Sequence, residues 1–338
     1  MPKIVIDIRA QPEALRRLES LPGVRVVCVG PANEARELPP EIIRDAEMLV
    51  CMVPPKNHAE MWALKLVQLS SVGFSQLYKL DLVRRGVRAC NARGVYDTAI
   101  AEWSVAMMVN LARDLRGMIR NQERGHWERA PRFANEIRGS VLGIWGYGGI
   151  GRETARLAKS LGLTVHVLTR RGIGPRENLY GVPGTGDPDG KLPDHVFTAG
   201  QEQEFLRGLD FLVLAMPHTP ANTGIVGERA LRAMKPTAFL LNPARGALVQ
   251  EAALLRALEE KWIAGAALDT HFHYPMPPEH PLWRMPNVIM TPHISGSDMG
   301  PHFLDRIWDI VLHNVANFFA GKPLWNELTS EELNERKP

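Results

Sequence analysis

Short apolar runs alternate with stretches of helical period along most of the chain. Lys3–Ile8 (KIVIDI) is the first such run, and Glu13–Leu21 follows with helical spacing until Pro22-Gly23 ends it. Val24–Val29, Glu47–Val53, Val67–Val72 and Val87–Ala89 read as further strands, with Pro54-Pro55 stopping the Glu47–Val53 run. Short apolar runs bounded by proline or glycine suit buried strands. Strands separated by helical stretches need crossovers, so a mainly parallel sheet is expected. Thr98–Leu115 is a long helical stretch with an apolar MMVNLA centre.

A second α/β series starts at Gly139. SVLGIWGYGGIGRETARLAKSLGLTVHVLTRR reads as strand, glycine turn, helix, strand, and Phe211–Met216, Ala238–Asn242, Ala264–Leu268 and Val288–Met290 add four more strands. The Gly/Pro/Asp-rich segment 172–197 reads as an extended surface loop, because strands resume after it. The last helix is expected over Gly300–Ala320, with Phe303, Ile307, Ile310, Val311, Val315 and Phe318 on one face and Gly321 and Pro323 at its stop. Such a helix can return the chain to the first domain. The expected domains are therefore a discontinuous unit of residues 1–98 and 298–338 and a dinucleotide-binding unit of residues 99–297.

Composition narrows the function. A chain of 338 residues, 45% hydrophobic and 23% charged, fits two globular α/β domains. A net charge of +3 with scattered arginines gives no nucleic-acid footprint. No apolar run reaches the roughly 20 residues of a membrane span. The chain enters its first strand directly, and Cys28, Cys51 and Cys90 have no metal-like spacing. They read as reduced, buried residues, and the whole as a cytoplasmic protein acting on a small molecule.

Gly146-Tyr147-Gly148-Gly149-Ile150-Gly151 matches G-x-G-x-x-G between a strand and a helix, the context that a dinucleotide site requires. Gly146 permits the tight turn, Gly148 lets backbone approach a pyrophosphate, and Gly151 lets helix and strand pack closely. The helix N-terminus offers free N–H groups to the phosphates. The next strand ends in Thr169-Arg170-Arg171 rather than in an acid. Guanidiniums suit a 2′-phosphate, so NADP(H) is preferred, with NAD(H) also possible.

Three further strand ends carry chemistry. Arg245 in LLNPARGALV, Asp269 in AGAALD and His293 in TPHISG each lie just beyond an apolar run, where open α/β sheets bind ligands. An arginine can hold a carboxylate by two parallel bonds, and an imidazole can pass a proton.

With NARGVYDTAIAEW, GIWGYGGIG, LAMPHTPANTG, LNPARGALVQEAAL, AGAALD and TPHISG in view, the chain resembles the D-isomer-specific 2-hydroxyacid dehydrogenases over nearly its whole length. The resemblance implies two doubly wound parallel-sheet domains: a flavodoxin-like substrate domain and a Rossmann cofactor domain, with a cleft between them. It implies a homodimer that interconverts a small 2-oxo acid, such as glyoxylate or hydroxypyruvate, with a D-2-hydroxy acid. It implies that Arg245 binds the substrate carboxylate and that His293 passes the proton. Asp269 is then expected to hold the nicotinamide carboxamide. Val72, Gly73, Val95 and Tyr96 are expected to contact substrate, and Pro217, Thr223 and Pro243 to line the cofactor.

One departure stands out. Where the family has an acid beside the histidine, this chain has Tyr274, and Gln250 replaces a common aspartate. The catalytic set becomes Arg245, Tyr274 and His293. Tyr274 is expected to hydrogen-bond His293 or the substrate, and losing a carboxylate lowers the histidine pKa. Other readings stay open. Glu279 or Asp298 can supply the acid. His271 or His273 can take the place of His293. The chain can be a nicotinamide-binding regulatory or scaffold protein without turnover, or a formate-dehydrogenase-like enzyme, a branch in which an amide stands at this place. His271, His273 and His280 can be drawn as metal ligands, but hydride transfer needs no metal, and none is expected.

Overall fold

The computed structural model describes residues 1–32, 34–130, 132, 134–170, 172–296 and 300–334. Arg171 and Asp298, both named above, lie outside the described residues. The chain divides into two compact units: Met1–Val95, Glu177–Val182 and Asp298–Pro338 in one, Tyr96–Arg176 and Pro183–Ser297 in the other. No described helix is long and apolar enough to cross a membrane.

Unit 1 holds β1 (Lys3–Asp7), β2 (Arg25–Cys28), β3 (Ala46–Cys51), β4 (Leu66–Leu69) and β5 (Arg88–Cys90), all parallel, in the order β2-β1-β3-β4-β5. This is the flavodoxin-like order, with its reversal between β1 and β3. Helix α1 (Pro12–Glu19) follows β1, and the short α2 (Pro40–Ile43) precedes β3. Central strands buried on both faces need no alternation, and β1 is buried at every residue. β2 is at the edge, and Cys28 at its end is exposed, whereas Cys51 and Cys90 are buried. The expectation of three buried cysteines therefore fails at Cys28, because an edge strand leaves one flank uncovered.

Unit 2 opens with α3 (Asp97–Ala112) and α4 (Leu115–Glu123). The single helix expected over 98–115 is broken at Asp114, which sits in the left-handed region at φ 49° and ends the i→i−4 ladder. The sheet has seven parallel strands: β6 (Val141–Trp145), β7 (Thr164–Thr169), β8 (His195–Thr198), β9 (Phe211–Leu214), β10 (Phe239–Asn242), β11 (Gly265–Leu268) and β12 (Val288–Met290). Their order is β12-β11-β10-β9-β6-β7-β8. Helices α5 (Gly149–Ser160), α6 (Glu202–Arg207), α7 (Glu228–Ala233) and α8 (Glu251–Glu259) connect them. On β9, Leu212 and Leu214 enter one core while Phe211 and Val213 enter the other, so helices cover both faces. The order reverses between β6 and β9, where open α/β sheets bind ligands, and the glycine turn leaves β6 at that point.

The segment expected as a surface loop forms no helix or strand before His195, and most of it is exposed or half-buried. Its end forms β8, which extends the sheet beside β7. Its middle, Glu177–Val182, belongs to unit 1: the Tyr180 amide donates to Asn326 Oδ1 at 3.1 Å, and its ring packs on Trp325. Helix α9 (Pro301–Phe319) and the short α10 (Ser330–Leu333) complete unit 1. The Trp308 indole of α9 donates to Arg9 O at 3.1 Å, and Asn314 donates to Gln68 Oε1 at 2.7 Å, so the buried face of α9 is fastened as well as apolar.

Candidate active site

The pairing register puts three of the expected residues on neighbouring strand ends. Asn242 pairs with Leu268, and Leu268 with Met290, so the segments carrying Arg245, Asp269 and His293 leave one edge of the sheet side by side. Asn242, which sequence reasoning passed over, builds the first of them. Its side-chain oxygen accepts from the Ala244 and Arg245 amides, and its Nδ2 donates to Arg245 O. The Arg245 side chain is left exposed, with one N–H bond to Ala244 O.

Asp269 is 0% exposed. Its Oδ1 accepts from Thr291 Oγ1 (2.6 Å) and the Ile294 amide (2.9 Å), and its Oδ2 from the Ser295 amide (3.0 Å) and Ser295 Oγ (2.5 Å). Those four bonds fill the acceptor positions of a carboxylate. Holding a carboxamide, as expected from sequence, requires one of them to open. The observed work of Asp269 is to fold the turn that presents His293. Its own carbonyl accepts the His293 amide at 2.8 Å, which fixes His293 at φ 58°, a backbone state that non-glycine residues rarely hold.

Tyr274 OH lies 3.1 Å from His293 Nδ1 and accepts the His271 amide at 3.2 Å. A hydroxyl can donate to a neutral ring or accept from an imidazolium, so this contact orients His293 in both states. It supplies no negative charge. Burial holds the His293 pKa below the usual imidazole value, the Arg245 charge adds to this, and Asp269 only partly opposes it. Among the described residues, Asp269 is the one carboxylate acting on His293. Glu279 is exposed. Tyr274 is 60% exposed, so a substrate can reach it.

The other histidines are occupied elsewhere. His271 Nε2 bonds Thr291 O at 2.8 Å, and His218 Nε2 lies 2.7 Å from Thr223 Oγ1. Glu251, His273 and His280 bring ligand-capable atoms within 4.8 Å of one another. The Leu282 amide donates to His280 Nδ1 at 3.3 Å, so the neutral ring carries its proton on Nε2, facing Glu251 Oε1 at 2.6 Å. A metal-bound histidine has the reverse arrangement, with its second nitrogen donating. The group is a hydrogen-bonded clasp between α8 and the 271–280 loop. Gln250 precedes α8 without capping it; its Nε2 donates to Gly224 O at 2.8 Å.

The glycine turn has the form a dinucleotide needs. Gly146 has φ 100°, and a Cβ there would lie 2.8 Å from the Ala215 backbone. A Cβ on Gly151 would lie 2.4 Å from Gly146 O, while space beside Gly148 is open. The N-cap of α5, Gly148, carries no side chain that could occupy the first-turn N–H groups, the groups that bind phosphate at a helix N-terminus. Gly149 has a different reason: a Cβ there would strike the Asp97 carboxylate. The Tyr147 side chain is 8% exposed and turned away into the 172–197 segment, so only backbone of Tyr147 and Ile150 is suited to a phosphate. Thr169 Oγ1 donates to Gly172 O, and Arg170 beside it is exposed, with no acid paired to it among the described residues. Pro217 O and Thr223 belong to the capped 217–223 loop, and Pro243 is buried between Asn242 and Arg245. Of the substrate residues expected, Val72, Gly73 and Val95 belong to unit 1 and Tyr96 to unit 2.

Comparison with known proteins gives the family. Residues 105–295 match the model of the D-isomer specific 2-hydroxyacid dehydrogenase NAD binding domain. A glyoxylate reductase of Thermofilum pendens is 30% identical over 318 residues, covering 89% of each chain. One of Thermococcus kodakarensis is 30% identical over 356 aligned residues, covering 100% of this chain and 99% of its own. The crystal structure of a D-isomer specific 2-hydroxyacid dehydrogenase family protein from Aeromonas salmonicida superimposes with a TM-score of 0.76 at 25% identity, over 97% of this chain and 99% of that one. The chain belongs to the D-isomer-specific 2-hydroxyacid dehydrogenase family.

Proposed function

We propose that this oxidoreductase reduces a small 2-oxo acid of the glyoxylate or hydroxypyruvate type, with NADP(H) preferred. The observation that carries the reading is the meeting of Arg245, Asp269 and His293 on adjacent strand ends, with Tyr274 on His293. Arg245 grips the substrate carboxylate with its planar fork, and its charge stabilises the oxygen that becomes an alkoxide. His293 gives its Nε2 proton to that oxygen, while Nδ1 is held by Tyr274. Asp269 keeps the turn of His293 in register. The bound nicotinamide supplies the hydride. The glycine turn and the first turn of α5 hold its pyrophosphate, and Arg170 pairs with a 2′-phosphate.

The direct test follows NADPH and NADH oxidation over a panel of 2-oxo acids. Glyoxylate or hydroxypyruvate turnover with a lower KM for NADPH is expected, and Arg170→Ala should raise the NADPH KM about tenfold, the loss of one exposed charge-assisted contact, while sparing NADH. Equal KM values for the two cofactors would remove the NADP(H) preference. Cofactor binding without turnover on any oxo acid or on formate would point to a regulatory binding protein.

Tyr274 makes a pH prediction. Reduction needs the imidazolium, and the His293 pKa is held down, so the rate should fall as pH rises through that lowered value. Tyr274→Glu places a carboxylate at the ring and should move the alkaline limb of kcat upward by about one pH unit or more. An unmoved limb would show that His293 does not set it.

A further inference from the structure

The segment between β7 and β8 takes no part in the chemistry above, yet it is bonded to the glycine turn and the start of α5 at three residues, Tyr147, Arg152 and Glu153. Tyr147 OH donates to Asp187 Oδ2 at 2.6 Å. The Arg152 guanidinium donates to the carbonyls of Asp187 and of Gly174, the latter at 2.6 Å, and lies over the Tyr147 ring at 5.1 Å. Glu153, paired with Arg156, accepts the Gly186 amide at 2.5 Å.

Asp187 is the knot of this group. It is 5% exposed, and besides Tyr147 it accepts the Lys191 amide at 2.9 Å and the Leu192 amide at 3.0 Å. Burial pushes its carboxyl up, but the Tyr147 hydroxyl, these amides and the Arg152 charge outweigh that and keep it ionised. Burial and the bond to this anion push the Tyr147 phenol up, so it stays a proton donor. A turn of four glycines in six residues is costly to order. Tyr147 stands between Gly146 and Gly148, and Arg152 follows Gly151, so both ends of the turn are tied to one buried carboxylate residue.

We propose that Asp187, acting through Tyr147 and Arg152, is a positioning residue that holds Gly146–Gly151 in the shape that receives the cofactor pyrophosphate. The 172–197 segment is then a built part of the cofactor site, and binding gains because the turn is ordered beforehand. This rests on the nicotinamide-cofactor reading above.

The test uses Tyr147→Phe and Asp187→Asn in the full chain, with Asp189→Ala as control; Asp189 pairs with exposed Lys191 in the same segment. Cofactor Kd is read from NADPH and NADH fluorescence titration, and order in the turn from amide hydrogen exchange of residues 146–151 in cofactor-free protein. Tyr147→Phe is expected to raise Kd about tenfold, as for one charge-assisted hydrogen bond, to speed exchange across the turn, and to raise the cofactor KM more than it lowers kcat. Asp187→Asn should do the same more strongly, and Asp189→Ala should leave Kd alone. Parent-like Kd and exchange in both variants, with only the melting temperature lowered, would overturn the proposal and leave a structural brace. A parent that binds neither NADPH nor NADH would overturn the cofactor reading, and the proposal with it.

Discussion

Replacing His293 with alanine is expected to lower kcat for 2-oxo acid reduction by about 10²–10⁴, the range that a positioned general acid supplies. The nicotinamide Kd should change little, because the ring acts on the substrate oxygen. His293→Gln is the companion variant: it preserves bulk and can donate a hydrogen bond, but cannot deliver a proton at the rate of an imidazolium. A loss as large as that of alanine identifies proton transfer; recovery of most activity would make His293 a binding residue only. The measurement is single-turnover NADPH oxidation at saturating oxo acid, which separates chemistry from product release.

Asp269→Asn is expected to be the most damaging conservative change in unit 2. Each Asp269 oxygen accepts from one backbone N–H, of Ile294 or of Ser295. Whichever way an asparagine is turned, its amide nitrogen faces one of them. A buried donor is stranded and a charge-assisted bond is lost, together costing roughly 3 kcal/mol. The His293 backbone, held at φ 58° by the same residue, should relax, so kcat falls with stability. Urea unfolding and kcat measured together check this. Ser295→Ala is the comparison: it removes one donor and strands nothing, so a loss of about 1 kcal/mol is expected. Equal effects of the two substitutions would show that the carboxylate is not the organiser of the turn.

Both expectations draw on details that the sequence did not display. The alternation of apolar runs and helical stretches made both parallel sheets readable, because buried strands such as FLVL and FLLN have one use in such a pattern. G-x-G-x-x-G, with a strand before it and a helix after it, located the turn after β6. Arg245, Asp269 and His293 could be placed at strand ends because each follows an apolar run directly. The partner of each side chain was not readable. Asn242 looks like any strand-end polar residue until its three bonds to the Arg245 loop are seen. The carboxylate of Asp269 is committed through contacts 22 to 26 residues away in sequence. The 172–197 segment, rich in glycine and proline, has the composition of a solvated loop. Its order comes from tertiary bonds to Tyr147, Arg152 and Glu153, which no local propensity encodes. The break at Asp114 was hidden for the same reason, since the apolar period runs on across it.

Tyr274 and His293, the proposed acid–base pair, have different main anchors, joined through His271, whose amide donates to Tyr274 OH and whose ring bonds Thr291 O. His293 stands on a turn folded by Asp269, whereas Tyr274 stands on a loop clasped through His273 and His280 to Glu251. Neither anchor passes through the Tyr274–His293 contact. Residues 274–279 can therefore be varied as a cassette, with His273 and His280 kept as the clasp, while the turn that carries His293 stays folded by Asp269. An architecture of this kind lets position 274 change without dismantling the turn that carries His293, and it marks that loop as the place to begin a change of substrate by design.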